Sequence, residues 1–230
     1  MKKILIPLVG TVGVGVILVS GMNSFPQTSN PFSHRPANRL PTSTSQAKQQ
    51  QQTLGLVAIH YQLFHLDQLA SNQIAIWIEN EQGRYVTTLR ASSFTAEGGY
   101  KMRPQALPEW RRVSAWSHAS AQDIRRVSWP EQSAGMHTAY WDCTDSNSKA
   151  VAPGTYVYKI EGNIYWQNRV VFSGTINLGT TGNSTAANAQ FFPSDAAKNG
   201  ELLTAVTATF LPKEQLADVQ QEKPASTHGS

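Results

Sequence analysis

Asp142, Asp145 and Asn147 place three oxygen-bearing side chains within six residues, with the thiol of Cys143 among them. Side chains at that spacing could hold a hard cation, and a thiolate beside them could act as a nucleophile. The rest of each constellation is missing. A calcium site takes about six to eight oxygens and, in the EF type, ends on a bidentate Glu; Lys149 stands near that place instead. His137 could meet Cys143 across a strand, but no orienting partner or pair of oxyanion donors is nominated. His60, His65, His118 and His137 are scattered without the paired spacing of a zinc site. Ser173-Gly174 lacks the flanking glycines of a nucleophile elbow. Asp142, Asp145 and Asn147 are better explained as turn residues that bond their own backbone. No catalytic residue, metal ligand or cofactor-binding residue is expected.

A second group has a different chemistry. Residues 100–129 hold Lys101, Arg103, Arg111, Arg112, Arg125 and Arg126 against only Glu109 and Asp123, with Trp110, Trp116 and Trp129 interleaved. Arginine offers a planar fork for carboxylate or phosphate, and tryptophan offers apolar area or a stacking face. Both are enriched at interaction hot spots. Two roles follow. Either the three tryptophans cap a core and the cations form its solvated rim, or the nine named residues make a partner-binding surface.

The charge distribution limits the partner. The 230-residue chain has a net charge of +4 and a pI near 9.2, yet only 15% of its residues are charged. Residues 1–52 carry five basic groups and no acid, whereas residues 53–212 carry 12 of each sign. A folded region without net charge is a poor nucleic-acid binder. Met1-Lys2-Lys3 followed by the apolar run from Ile4 to Val19 reads as an export signal at 1–21, with cleavage expected near Gly21. The alternative is an uncleaved membrane anchor, for which the run is short. The glycines at 10, 13 and 15 sit inside this signal, with no strand before them, and are not a phosphate loop. Cys143 is the single cysteine, so no disulfide can form within the chain; a buried, inert thiol is expected.

These residues must be positioned by strands. Residues 22–52 are rich in Pro, Gln and Ser and read as a disordered linker. Strand periodicity runs from Thr53, with Ile74, Ile76 and Ile78 on one face. Asn80 to Gly83 is a hairpin turn, and Arg84 to Leu89 returns. The rhythm is lost over 91–132, where Pro108 and Glu109 mark the start of a short helix. Strands resume at His137 to Trp141, Tyr156 to Ile160, Val170 to Leu178 and Leu203 to Leu211. About seven strands between turns predict an antiparallel β-sandwich over 53–212, mostly β and immunoglobulin-like, with an irregular, partly helical insertion. Residues 213–230 read as a disordered tail.

The order of Asn72 to Glu79, Gly83 to Leu89, Leu107 to Arg111, Trp141-Asp142, Pro153 to Tyr156 and Glu161 to Trp166 resembles a family of uncharacterised predicted periplasmic proteins, domain of unknown function 2271. The C-terminal half is also similar to the immunoglobulin-like domain of flagellar hook-capping proteins, whose pattern is Trp-Asp-Gly-Thr-Asp, an Asn-Gly turn and Pro-x-Gly-Thr-Tyr. Here Cys143 and Ser148 stand where that pattern has glycine, so the turn is expected to depend less on positive φ. The resemblance implies an envelope location and a sandwich, and no activity. Some members accompany flavin-carrying envelope redox proteins. Covalent flavin attachment there needs Ser/Thr-Gly-Ala-Thr, which this chain lacks; Ser128-Trp129-Pro130 is no substitute, and no flavin is expected.

The resulting expectation is a periplasmic, non-enzymatic binding or assembly module. Its partner would be an envelope protein or an anionic envelope component, and the membrane would be met only through an uncleaved N-terminus. An accessory role in envelope redox or metal uptake is the alternative, and a glycan hydrolase is a third.

Overall fold

A computed structural model describes residues 53–66, 71–165 and 167–216. The signal or anchor, the linker at 22–52 and tail residues 217–230 lie outside the described residues.

Ten strands are present among the described residues: β1 (Gly55–Leu63), β2 (Gln73–Asn80), β3 (Tyr85–Ser92), β4 (Ser128–Trp129), β5 (Gly135–Trp141), β6 (Gly154–Tyr165), β7 (Asn168–Leu178), β8 (Asn183–Ala186), β9 (Asn188–Phe192) and β10 (Leu203–Pro212). They form two sheets, ordered β5-β1-β10-β8 and β4-β3-β2-β6-β7-β9. Every pairing is antiparallel except β3 with β4. The mostly β, two-sheet architecture expected from the periodicity is present. The seven strands read from apolar alternation are joined by β4, β8 and β9. These three are two to five residues long and too short or too polar to give a period-2 signal.

The main core lies between the sheets. Val57, Ile59 and Tyr61 of β1 and Val206, Ala208 and Phe210 of β10 meet Ile74, Ile76 and Ile78 of β2 and Tyr156, Tyr158 and Ile160 of β6. The other face of β2 is covered as well: Ala75 and Trp77 pack with Leu107, Trp110, Trp116 and Val127 of the insertion. Residues Gln73 through Glu79 are therefore all buried, as in a strand sandwiched between two layers.

The insertion holds α1 (Ser93–Ala96), α2 (Pro108–Val113) and α3 (Ala121–Val127). The helix expected at Pro108 is α2, with Pro in its first turn. Helix α3 starts on a capping box in which the Ser120 hydroxyl accepts the Asp123 N–H at 3.1 Å and the Asp123 carboxylate accepts the Ser120 N–H at 3.3 Å.

The two lateral sides of the layers differ. On one, the chain steps from β8 in the four-stranded sheet to β9 in the six-stranded sheet across Ala187 alone, whose N–H donates to Val206 O at 2.9 Å. That step closes the side. On the other, β5 ends one sheet, and β3 is extended in the second only by the two-residue β4 on Ala91 and Ser92.

Cys143 and Ser148 were expected to reduce the dependence on positive φ, but they adopt φ of 60° and 61°. The loop holds two L-residues in left-handed geometry. Its closure comes from side chains: Asp142 Oδ1 accepts Thr144 N at 3.2 Å, and Asp145 Oδ1 accepts Asn147 N at 2.8 Å and Lys149 N at 3.0 Å. Asp and Asn closing turns on nearby N–H groups is the role read from the sequence.

Candidate functional site

The insertion is fixed to the six-stranded sheet by charge as well as by apolar packing. Lys159, Glu161 and Asn163 alternate along β6 and share one face, with Glu79 on β2 beside them. Glu161 is fully buried. Its carboxylate accepts the N–H of Trp110 at 2.8 Å and of Glu109 at 3.3 Å, and Arg169 Nη1 approaches it at 3.4 Å. Leu107, at the N-cap of α2, sits at φ 47° and offers no side-chain cap. Glu161 therefore does from a strand what an N-cap residue does from the chain itself. Asn163 adds a second clamp by accepting Leu107 N at 2.9 Å and donating to Gln105 O at 2.9 Å. Lys159 bridges Glu79 and Glu109 at 3.3 Å each. Burial pushes the Glu161 carboxyl up to about 7; the Trp110 N–H, Arg169 and the Glu109 N–H pull it back, and the Glu109 carboxylate adds to the rise.

This anchoring separates the nine sequence-nominated residues. Trp110 and Trp116 are core: they are buried, tilted against each other at 4.6 Å, and their indole N–H groups donate to Thr88 Oγ1 and Ala96 O. Neither presents a face to a partner. Arg111 stacks on Tyr100 at 4.6 Å and donates to the Ala106 and Pro104 carbonyls, so it holds the 100–111 loop together. Arg103 Nη1 donates to Ser71 O at 2.9 Å. Lys101, Arg112, Arg125, Arg126 and Trp129 face solvent. The structure does not gather these five into one patch. Arg112 lines a hollow with Tyr100 and Ser117, whereas Arg126 and Trp129 lie on the open side.

There three hollows adjoin. One, of about 290 Å3, is lined by Tyr61, Leu89, Arg90, Trp129, Thr138 and Tyr140 among others. The next, of about 310 Å3, shares Leu89 and Tyr140 with it and adds Thr87, Arg126 and Asp142. A third, of about 290 Å3, shares Arg126 and continues to Tyr85, His118 and Asn147. The first two lie between β3 and β5 and the third continues past Tyr85 to the insertion, and their shared lining joins them into one trough. Trp129 and Tyr140 are 50% and 62% exposed on its walls. The Arg90 guanidinium lies 5.3 Å over Trp129 and donates to Pro130 O at 2.7 Å. Tyr61 donates to Gln132 Oε1 at 2.7 Å, and Gln132 Nε2 and the Ser133 carbonyl hold the two nitrogens of His137. His137 is thereby committed to this wall, and Cys143 lies in the main core.

The sequence reading nominates Arg126 and Trp129 but misses Arg90 and Tyr140. Both lie on strands whose neighbours are set by sheet order. The available signal was Met136, Thr138 and Tyr140, exposed at alternate positions of β5 with no charge among them.

The fold is a two-sheet β protein with a helical insertion clamped to one sheet and a trough on its open side. The chain belongs to the family described as predicted periplasmic protein (DUF2271), whose model matches residues 57–192. Neither the curated proteins nor the solved structures give a match, so the likeness to hook-capping domains rests on turn pattern alone. The family match stops before β10, the strand that joins β1 to β8 in the four-stranded sheet.

Proposed function

We propose that this protein is an exported, non-enzymatic binding module of the bacterial cell envelope. The trough on its open side contacts an envelope protein or an anionic envelope component. The observation that carries this reading is the pair of exposed rings, Trp129 and Tyr140, facing the same trough as Arg90 and Arg126. Aromatic and arginine side chains on one concave surface supply the contact area and directed hydrogen bonds typical of a binding hot spot. An immunoglobulin-like strand order, with a hook-cap type of C-terminal half, belongs to this proposal as an account of the turn pattern from Trp141 to Tyr156. So does periplasmic delivery by cleavage near Gly21.

Capture from envelope extract tests it, with the wild type compared against an Arg126→Ala, Trp129→Ala double variant. Selective loss of one or more partners from the variant is the expected result. Identical partner sets, quantified by mass spectrometry, would remove the trough as the working surface.

A further inference from the structure

Four strands end the two sheets, and three of them are protected. β4 has two residues, β8 has four, and β9 has five and runs into Pro193. Short edges and proline are the usual means of keeping a sheet from pairing with another chain. β5 is the exception. It has seven residues, is paired with β1 along its whole length, and contains neither proline nor Asp, Glu, Lys or Arg. Its seven register pairs with β1 run without a shift, so no bulge bends it away. Its outward face carries Met136 and Tyr140, 64% and 62% exposed, with Thr138 between them. Among the described residues no strand is hydrogen-bonded to its outer edge, and β3 lies across the trough from it.

We infer that β5 is a homodimerisation strand, pairing antiparallel with β5 of a second copy about a two-fold axis through Thr138. The sequence of the strand selects this occupant. An antiparallel pairing centred on Thr138 sets Thr138 opposite itself and sets Met136 of each copy opposite Tyr140 of the other. The two exposed large apolar side chains of the strand are thus each other's cross-strand partners. A thioether beside an aromatic ring, and β-branched residues facing one another, are favourable cross-strand pairs. The two-fold demands such self-complementarity, since the same patch must serve both sides. Charge does not oppose it, because residues 53–212 carry equal numbers of acids and bases. The product is one continuous sheet built from two four-stranded halves. Tyr140 also lines the trough, so the partner strand runs beside it. The inference deepens the open-side reading and rests on it for the biological role alone.

The experiment uses the protein purified as the cell exports it, followed by sedimentation over concentrations on the order of 1–100 μM. The wild type is expected to reach a dimeric mass within that range. Thr138→Lys and Thr138→Glu, which place like charges opposite each other on the axis, are each expected to stay monomeric with native circular dichroism. Mixing the two variants is expected to restore a dimer with one copy of each. Both variants lose the Thr138 contact to His60 Nδ1, so recovery on mixing separates pairing from local damage. A wild type monomeric throughout, variants that dimerise like the wild type, or a mixture that stays monomeric would each overturn the inference. The binding test is read separately, because its variants change Arg126 on α3 and Trp129 on β4 and leave β5 intact.

Discussion

The carboxylate of Glu161 accepts the backbone N–H of Trp110 at 2.8 Å, so a charged residue in the middle of β6 caps a helix 51 residues earlier in the chain. The arrangement answers two problems at once. A buried carboxylate needs donors, and the first turn of α2 has N–H groups without acceptors. Arg169 supplies the counter-charge. The insertion is consequently attached to the sheet at a defined point, which places α3 and β4 beside the trough.

Glu161 makes stability depend on pH in a stated direction. Its folded-state pKa is raised to about 7 from an ordinary 4.5, so the native state holds this proton more tightly than the unfolded chain does. The contribution is fully present below about pH 4.5 and is lost as pH rises through about 7. Glu161→Gln keeps the shape and cannot ionise. The stability of the variant relative to wild type, from urea unfolding at pH 5, 6, 7 and 8, is expected to rise with pH by on the order of 2 kcal/mol. A difference that stays flat across that range would show that Glu161 does not titrate in it.

Much of the scaffold could be read from alternation, because a strand with one buried face writes its period into the sequence. Ile74, Ile76 and Ile78 are such a case. Trp77 and Glu79 are not, since their burial comes from an insertion that packs on the outer face of the same strand. The Ser120 and Asp123 spacing did carry the signal for α3. Its helix is only seven residues long, too short to show helical periodicity. For the trough, Trp129 was visible as an aromatic among arginines, whereas Arg90 and Tyr140 acquire meaning only when β3 and β5 are placed on the same open side. The sequence favours a core-capping role for Trp110, Trp116 and Trp129 alike, which holds for the first two and not for Trp129. What separates them is the clamp of Glu161 and Asn163 on α2, a long-range contact with no local signature.

The loop after β5 offers a paired test of backbone strain. Ser148 and Cys143 have nearly the same positive φ, 61° and 60°, but Ser148 is exposed and Cys143 is buried in the main core. Ser148→Gly removes the left-handed penalty and no packing, so it is expected to stabilise by about 0.5–1 kcal/mol after the added freedom of the unfolded chain is offset. Cys143→Gly removes the same penalty but leaves a void among apolar side chains, and a net loss of about 1 kcal/mol is expected. Thermal or urea midpoints moving in the same direction for both would sink the strain argument.

Cys143 itself is expected to be silent. Burial pushes its thiol up to about 12, Asp142 adds to the rise, and the backbone of Gly55 pulls it back. The thiolate is the reactive form. Native protein at pH 8 should therefore show no fast reaction with a disulfide reagent, and one thiol per chain should appear in denaturant, the chain's full complement. Rapid titration of the native thiol would mean that the loop opens far more readily than its hydrogen bonds imply.

Tyr158 and Gly174 are direct cross-strand partners on β6 and β7, and the tyrosine ring lies over the glycine. A Cβ at Gly174 would collide with the Tyr158 hydroxyl and ring. The ring cannot move away freely, since Tyr158 is buried between the sheets and its hydroxyl donates to Thr185 O at 3.0 Å. Gly174→Ala must displace the ring and break that bond, for a cost of about 2–4 kcal/mol in urea unfolding. The ring carbon Cζ lies almost as near the added methyl as the hydroxyl oxygen does, so Tyr158→Phe removes the bond to Thr185 and leaves most of the clash. The same glycine substitution made on top of Tyr158→Phe is expected to cost about 1 kcal/mol less than in the wild type. Equal costs in the two backgrounds would show that the bond to Thr185 survives the glycine substitution and that the ring clash alone sets the cost.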